Sequence, residues 1–375
     1  MKLDLTNKEL MQNVLYAIGI PKDRIGKIKY LPEILQHIMS QEDAEIIAKI
    51  GRKGVTIEDG AKILGVSENE AQKIIEEDMF KKKGLIIPFP DLLSGSFKYR
   101  PTPMLLLHDM TLLNAHYDKD MDEKEKIAFL DLWDNFYEHE MIDEFDRLKV
   151  EEAGLPPIFR VVPVNEEIIP QQEVLTYETV KGIIDKAKVI SVQPCVCRIR
   201  THGKNCEYPI DVCMAFGFAA RMVIDRGHGR KVSKEEALEI KKKATDAGLV
   251  HLSNNASSGF IFICSCCDCC CGALHAIVQH DKTKLGIPSR YQSQIDPETC
   301  IGCETCIDQC QFHAISIKDD KAVVDPNLCW GCGVCVAICP EEAASLTLIR
   351  DKKQIARGDA ITNLAKYGKQ MGVKL

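Results

Sequence analysis

Eighteen cysteines fall in this 375-residue chain, and eight of them form two copies of one pattern. The first is Cys300-x2-Cys303-x2-Cys306-x3-Cys310; the second is Cys329-x2-Cys332-x2-Cys335-x3-Cys339-Pro340. Thiolates at that spacing bend a loop round three corners of a cubane, and the fourth, one turn further on, points at a second cube. Each copy therefore completes its twin. Cys300, Cys303, Cys306 and Cys339 are expected to hold one [4Fe-4S] cluster, and Cys329, Cys332, Cys335 and Cys310 the other. Structural zinc also takes Cys-x2-Cys pairs, but the doubled x2-x2-x3 spacing favours iron–sulfur clusters.

Ten more thiols lie upstream: Cys195, Cys197, Cys206, Cys213, Cys264, Cys266, Cys267, Cys269, Cys270 and Cys271. Six within eight residues would repel or oxidise unless a metal neutralised them, so all ten read as ligands. Cys266 with Cys269 and Cys267 with Cys270 interleave as two Cys-x2-Cys pairs, each able to clasp a cluster edge. Ten thiols suffice for two further cubanes with two left over, Cys195, Cys197, Cys206 and Cys213 sharing a role with the later run. One further cluster with spare thiols is the alternative. A spare pair beside a cluster could cycle between dithiol and disulfide, which is an enzyme's chemistry rather than a wire's. Arg198, Arg200, His202 and Lys204 add a basic run suited to reduced clusters or to a substrate anion. No catalytic residue is assigned, and no dinucleotide or Walker loop is present.

The elements that must position these thiols are short. Residues 189–192 and 260–263 read as strands, each delivering a cysteine group at its end, and Ser233 with Glu236 caps a helix between them. Residues 314–324 alternate like a hairpin around the polar turn Lys318-Asp319-Asp320-Lys321. With this hairpin between its two motifs, the C-terminal segment resembles the bacterial-type two-[4Fe-4S] ferredoxin domain. Gln311 stands where that family usually has proline, and Trp330 where it has a smaller aliphatic; an indole there could shield the second cluster from water. Together with the Cys-x-Cys-Arg segment and the cysteine run ending at Gly272, residues 100–345 resemble the poly-cubane ferredoxin-type proteins of anaerobic bacteria and archaea. Ligand roles carry over only in the ferredoxin half. The long-spaced cysteine repeats of heterodisulfide reductases are not matched.

Upstream, residues 1–50 read as helical, with Ile34, Leu35, Ile38 and Met39 on one face. Residues 56–64, a Gly65-Val66 turn and a helix from Ser67 through Met79, boxed by Ser67 and Glu70, lead to a short strand after Gly84. This resembles a winged helix-turn-helix. Its second helix carries Glu68, Glu70, Glu76, Glu77 and Asp78, which repel phosphate, so protein docking is expected rather than DNA binding. A further helical stretch buries Ile127, Leu130, Trp133, Phe136 and Tyr137, while Asp131, Asp134, Glu138, Glu140, Asp143 and Asp146 read as a solvated acidic face. Arg350 to Lys374 forms a basic tail.

Composition agrees with a globular α+β chain: 45% of residues are hydrophobic and the net charge is −7, which disfavours nucleic-acid binding. Met1-Lys2-Leu3-Asp4-Leu5 begins no signal peptide, and no apolar run reaches membrane-spanning length, so a reducing cytoplasm is expected. Five segments are expected: a winged-helix-like docking region (1–95), a helical segment (96–160), a cysteine-rich iron–sulfur domain (161–290), a βαβ-repeat ferredoxin domain (291–345) and the basic tail (346–375). The expected role is electron transfer through two [4Fe-4S] clusters in the ferredoxin domain and one or two more in the central domain. The partner would be a redox protein or oxidoreductase complex, with no nucleic acid, no direct membrane insertion and homo-oligomerisation left open. An oxidoreductase with chemistry at residues 264–271 and a redox-sensing regulator are the alternatives.

Overall fold

The computed structural model describes residues 2–90, 97–143, 155–163, 175, 177–202 and 206–370, and these show the mixed helix and strand content of an α+β protein. The chain divides into two compact units. One takes Met1–Leu148 with Ile199–His202 and Tyr367–Leu375; the other takes Lys149–Arg198 and Gly203–Lys366. Both cysteine-rich segments fall in the second unit. Among the described residues, no helix is long and apolar enough to cross a membrane.

The first unit is built from short, well-capped helices. Ser40 opens Gln41–Ile50 with a complete capping box, its hydroxyl accepting the Asp43 N–H while the Asp43 carboxylate accepts the Ser40 N–H. At Ser67 the hydroxyl accepts the Glu70 N–H, the serine half of the expected box. The helix it starts, Glu68–Gln72, widens over Lys73–Lys82 into i→i+5 turns before Gly84 ends it. Strand β1 (Ile86–Pro90) then pairs antiparallel with β2 (Phe97–Pro101), and Val55 bridges Tyr99.

Two sequence expectations are corrected in this unit. Along Glu123–Phe136 and the turn after it, Phe129, Leu130, Trp133, Phe136 and Tyr137 are buried, but Ile127 is exposed. At 100° per residue Ile127 lies outside the arc those five share. The acidic face is not all solvated either. Glu140 is buried and accepts the backbone N–H of Lys29 (2.7 Å), while Asp134 pairs with Arg200 (3.1 Å) and Asp131 with His202 (3.3 Å). Asp146 lies outside the described residues.

The second unit is organised by a seven-stranded sheet in the order β6-β4-β5-β8-β7-β3-β9. Its strands are β3 (Phe159–Val161), β4 (Ile190–Gln193), β5 (Cys213–Phe216), β6 (Arg230–Lys231), β7 (Val250–Asn254), β8 (Phe262–Cys266) and β9 (Gly286–Ile287). All neighbours are antiparallel except β3 and β9. Alternation gives the sheet two different faces. Ile190, Val192, Met214, Phe216 and Ile263 pack with residues of the helices Val180–Lys186 and Lys234–Asp246. On the other face, Val250, Leu252 and Cys266 pack with Phe312, Ala314, Cys329 and Val334 of the C-terminal module.

That module pairs β10 (Tyr291–Ile295) with β13 (Ala344–Leu348), and β11 (Ile315–Lys318) with β12 (Lys321–Val324). The expected hairpin forms, with Asp319 and Asp320 both at positive φ (50° and 59°), as a right-twisted two-residue turn requires.

Candidate metal centres

The twin motifs share one backbone path. Gly302 and Glu304 in the first loop, and Gly331 and Gly333 in the second, all have positive φ, between 63° and 81°. A Cβ on Gly331 would lie 2.0 Å from the Tyr291 carbonyl oxygen, so only glycine fits that approach. The result is two adjoining hollows. One is lined by Cys300, Cys303, Cys306 and Cys339, the other by Cys310, Cys329, Cys332 and Cys335. In each, three thiols of one motif meet the fourth thiol of its twin.

The surroundings suit thiolates bound to a cation. Burial pushes the Cys335 thiol up to about 12 and the Cys332 thiol well above its ordinary range, so ionisation there needs a metal's charge. Backbone N–H groups of Ser293 and Ala314 donate to the sulfurs of Cys329 (3.5 Å) and Cys310 (3.3 Å), bonds of the kind that tune cluster potentials. Trp330 lines the second hollow and stacks on Phe312 with centroids 5.3 Å apart. Arg350, expected in the basic tail, instead donates to the carbonyls of Ser289 and Cys329, at 2.9 and 3.0 Å. Lys374 lies outside the described residues.

The ten central thiols sort into two groups. Cys213 opens β5, and Cys264 and Cys266 lie within β8 rather than after it, so alternation puts Cys264 and Cys266 on one face. Cys213 bonds Cys195 and Cys264; Cys195 also bonds Cys197; Cys266 bonds Cys264 and Cys271; and Cys271 bonds Cys197. These six form a closed ring of thiol contacts, the Cys266 to Cys271 sulfur distance being 3.0 Å. The other four, Cys206, Cys267, Cys269 and Cys270, gather separately, with all sulfurs within 4.8 Å of one another.

Cys206 lies with three thiols of the later run, and Cys267 lies with Cys270. Cys206 is nevertheless set apart from Cys195, Cys197 and Cys213, and Cys266 is parted from Cys269 because it ends a strand while Cys269 lies in the turn that follows. The basic run is parted as well. Arg198 donates to the Cys267 sulfur at 3.5 Å and to the carbonyls of Pro209 and Ser265. Arg200 is paired with Asp134, and Lys204 lies outside the described residues.

One feature was missed by sequence reasoning altogether. Lys241 is fully buried on the helix side of the sheet, donating to the carbonyls of Val212 and Ile263 and to the Ser265 hydroxyl. Burial pulls its ammonium down to about 8 against the pull of Cys213 and Cys264, so a cation lies behind the thiol face. Its position four residues after Ala237 on the helix's buried stripe was the available signal.

Across residues 293–346 the chain matches the family model of the 4Fe-4S dicluster domain. No curated protein and no solved structure matches the chain. The two four-thiol hollows fall inside the matched segment and fit its cofactor, so [4Fe-4S] clusters and iron–sulfur electron transfer are supported there.

Proposed function

We propose that the protein passes electrons one at a time through several [4Fe-4S] clusters, between a low-potential donor and an oxidoreductase partner. Each bound cluster supplies one-electron redox chemistry; the chain supplies spacing, burial and charge. The observation that carries this reading is a continuous row of thiols. Cys264, Cys266 and Cys271 of the six-thiol ring pack in one apolar cluster with Cys310, Cys329 and Cys332. Cys310 and Cys335 pack in the next with Cys300, Cys306 and Cys339. The row starts at buried sulfurs and ends at Cys303, which is exposed beside the exposed Ile301. Electrons would enter or leave there.

Short steps between adjoining centres are what electron transfer needs, and the ring of six offers enough thiolates for a third cluster. Capped helices and the β1–β2 hairpin suit the first unit to a winged-helix-like docking role. Glu68, Glu70 and Glu77 are exposed on its second helix, which opposes duplex DNA and suits a basic protein surface. Iron and sulfide analysis with reduced-state EPR on anaerobically purified protein tests the proposal. About twelve irons per chain, reducible by a low-potential donor, are expected. Four irons or fewer, or no reduction, would overturn it.

A second reading rests on the Cys266 and Cys271 sulfurs, 3.0 Å apart among more thiols than one cubane uses. Here two thiols release two protons and two electrons as one S–S bond forms, the electrons leaving singly through the clusters. Alkylation counts that differ by two thiols between oxidised and reduced protein, with iron unchanged, would favour it.

A further inference from the structure

The four-thiol group differs in scale from the hollows of the dicluster module. Four thiolates about 2.3 Å from one tetrahedral ion lie about 3.8 Å from each other, whereas thiolates on the four corners of a cubane lie roughly 6 Å apart. Cys206 and Cys267 have their sulfurs 3.9 Å apart, Cys269 and Cys270 3.5 Å, and no pair among the four exceeds 4.8 Å. Among the described residues, this is the only all-cysteine group so tightly drawn. The eight thiols of the dicluster module, at the larger spacing, form no such group.

From this geometry we infer that Cys206, Cys267, Cys269 and Cys270 hold a single tetrahedral zinc ion rather than an iron–sulfur cluster. Every coordination position is filled by a protein thiolate, as in a structural zinc site with no place for substrate. Cys267 and Cys270 are buried against Val212, Ala244 and Leu249, which keeps water from the bonds. Zinc with four thiolates carries two negative charges, and the buried Arg198 guanidinium beside Cys267 offsets one of them.

The site would act as a staple. It ties the chain at Cys206 to the turn 267–270, and Asp268 in that turn holds the dicluster module by two bonds. Its N–H donates to the Gln311 side-chain oxygen at 2.9 Å, and its carboxylate meets the His313 ring at 2.9 Å. Gln311 directly follows Cys310, a thiol of the second hollow. The ion thus fixes the platform on which that thiol's loop rests. This inference does not depend on the electron-transfer reading, since a redox-inert ion would serve any function of the module.

Elemental analysis and zinc K-edge absorption on the full-length protein, purified anaerobically, test it. About one zinc per chain with four sulfurs at about 2.3 Å is expected. Cys269→Ser, which alters the exposed member of the set, should lose that zinc and keep all of its iron. A wild-type protein without stoichiometric zinc, or a Cys269→Ser protein that loses iron, would overturn the assignment. The wild-type absorption spectrum decides the question even if the variant does not fold.

Discussion

The side-chain amide of Gln311 accepts the backbone N–H of Asp268 at 2.9 Å and donates to the Tyr208 hydroxyl (2.8 Å) and the Gly248 carbonyl (3.2 Å). Three bonds at one buried side chain explain why proline, usual at this position in two-cluster ferredoxins, is replaced here. The glutamine locks the dicluster module to the cysteine-rich sheet. Gln311→Ala leaves the Gly248 carbonyl and the half-buried Asp268 N–H without their partner and should destabilise the second unit by about 1–3 kcal/mol. Denaturant unfolding under anaerobic conditions would show it as a lower midpoint, with iron content unchanged because no ligand is touched.

The crossing of ligands between the two motifs can be tested by combining substitutions. Cys310 lines the hollow of Cys329, Cys332 and Cys335 rather than that of its own motif. Cys310→Ala and Cys332→Ala should each lose about four irons, and the double variant no more than either alone. Cys310→Ala with Cys303→Ala should lose about eight. Additive loss in the first pair would mean that each motif binds its own cluster.

The dicluster module was legible because its chemistry is local: the ligand spacing and the Asp319-Asp320 turn both lie within about 50 residues. The central thiols were not, because strand register decides which of them meet. Cys264 and Cys266 fall on one face only because β8 runs through Cys266, three residues beyond the apolar run that marked the strand. Cys267, one residue further, turns to a different set. A shift of one residue would have exchanged the faces, and nothing in the cysteine spacing reports that. Arg350 misled for a related reason: a basic residue in a basic stretch reads as solvated until the carbonyls of Ser289 and Cys329 are seen converging on it.

Trp330 offers a test of how burial sets potential in the second hollow. The reduced cluster carries one more negative charge than the oxidised one, and water stabilises that charge better than an indole does. Trp330→Ala should therefore raise the potential of that centre, by about 60 mV if the solvation change is about 1.4 kcal/mol. Trp330→Phe, which keeps a ring on Phe312, should shift it less. Redox titration followed by EPR separates the two centres and would show the other unmoved.

His251 predicts a pH dependence of stability. Its ring is fully buried between the Thr245 hydroxyl (3.0 Å) and the Ser265 hydroxyl (3.2 Å), and burial, reinforced by Lys241, lowers its pKa to about 3. The unfolded chain, with an ordinary histidine pKa near 6.5, binds a proton that the folded chain refuses. Stability from this group is thus complete above about pH 6.5 and lost as pH falls towards 3, at up to about 1.4 kcal/mol per pH unit. Between pH 8 and pH 5 the loss amounts to about 2 kcal/mol. His251→Asn removes the titrating ring, so its unfolding midpoint should fall less steeply over that range, although its stability at pH 8 is lower. Acid effects on the clusters are common to both proteins and cancel in the comparison. Parallel pH profiles for the two proteins would show that His251 does not carry the difference.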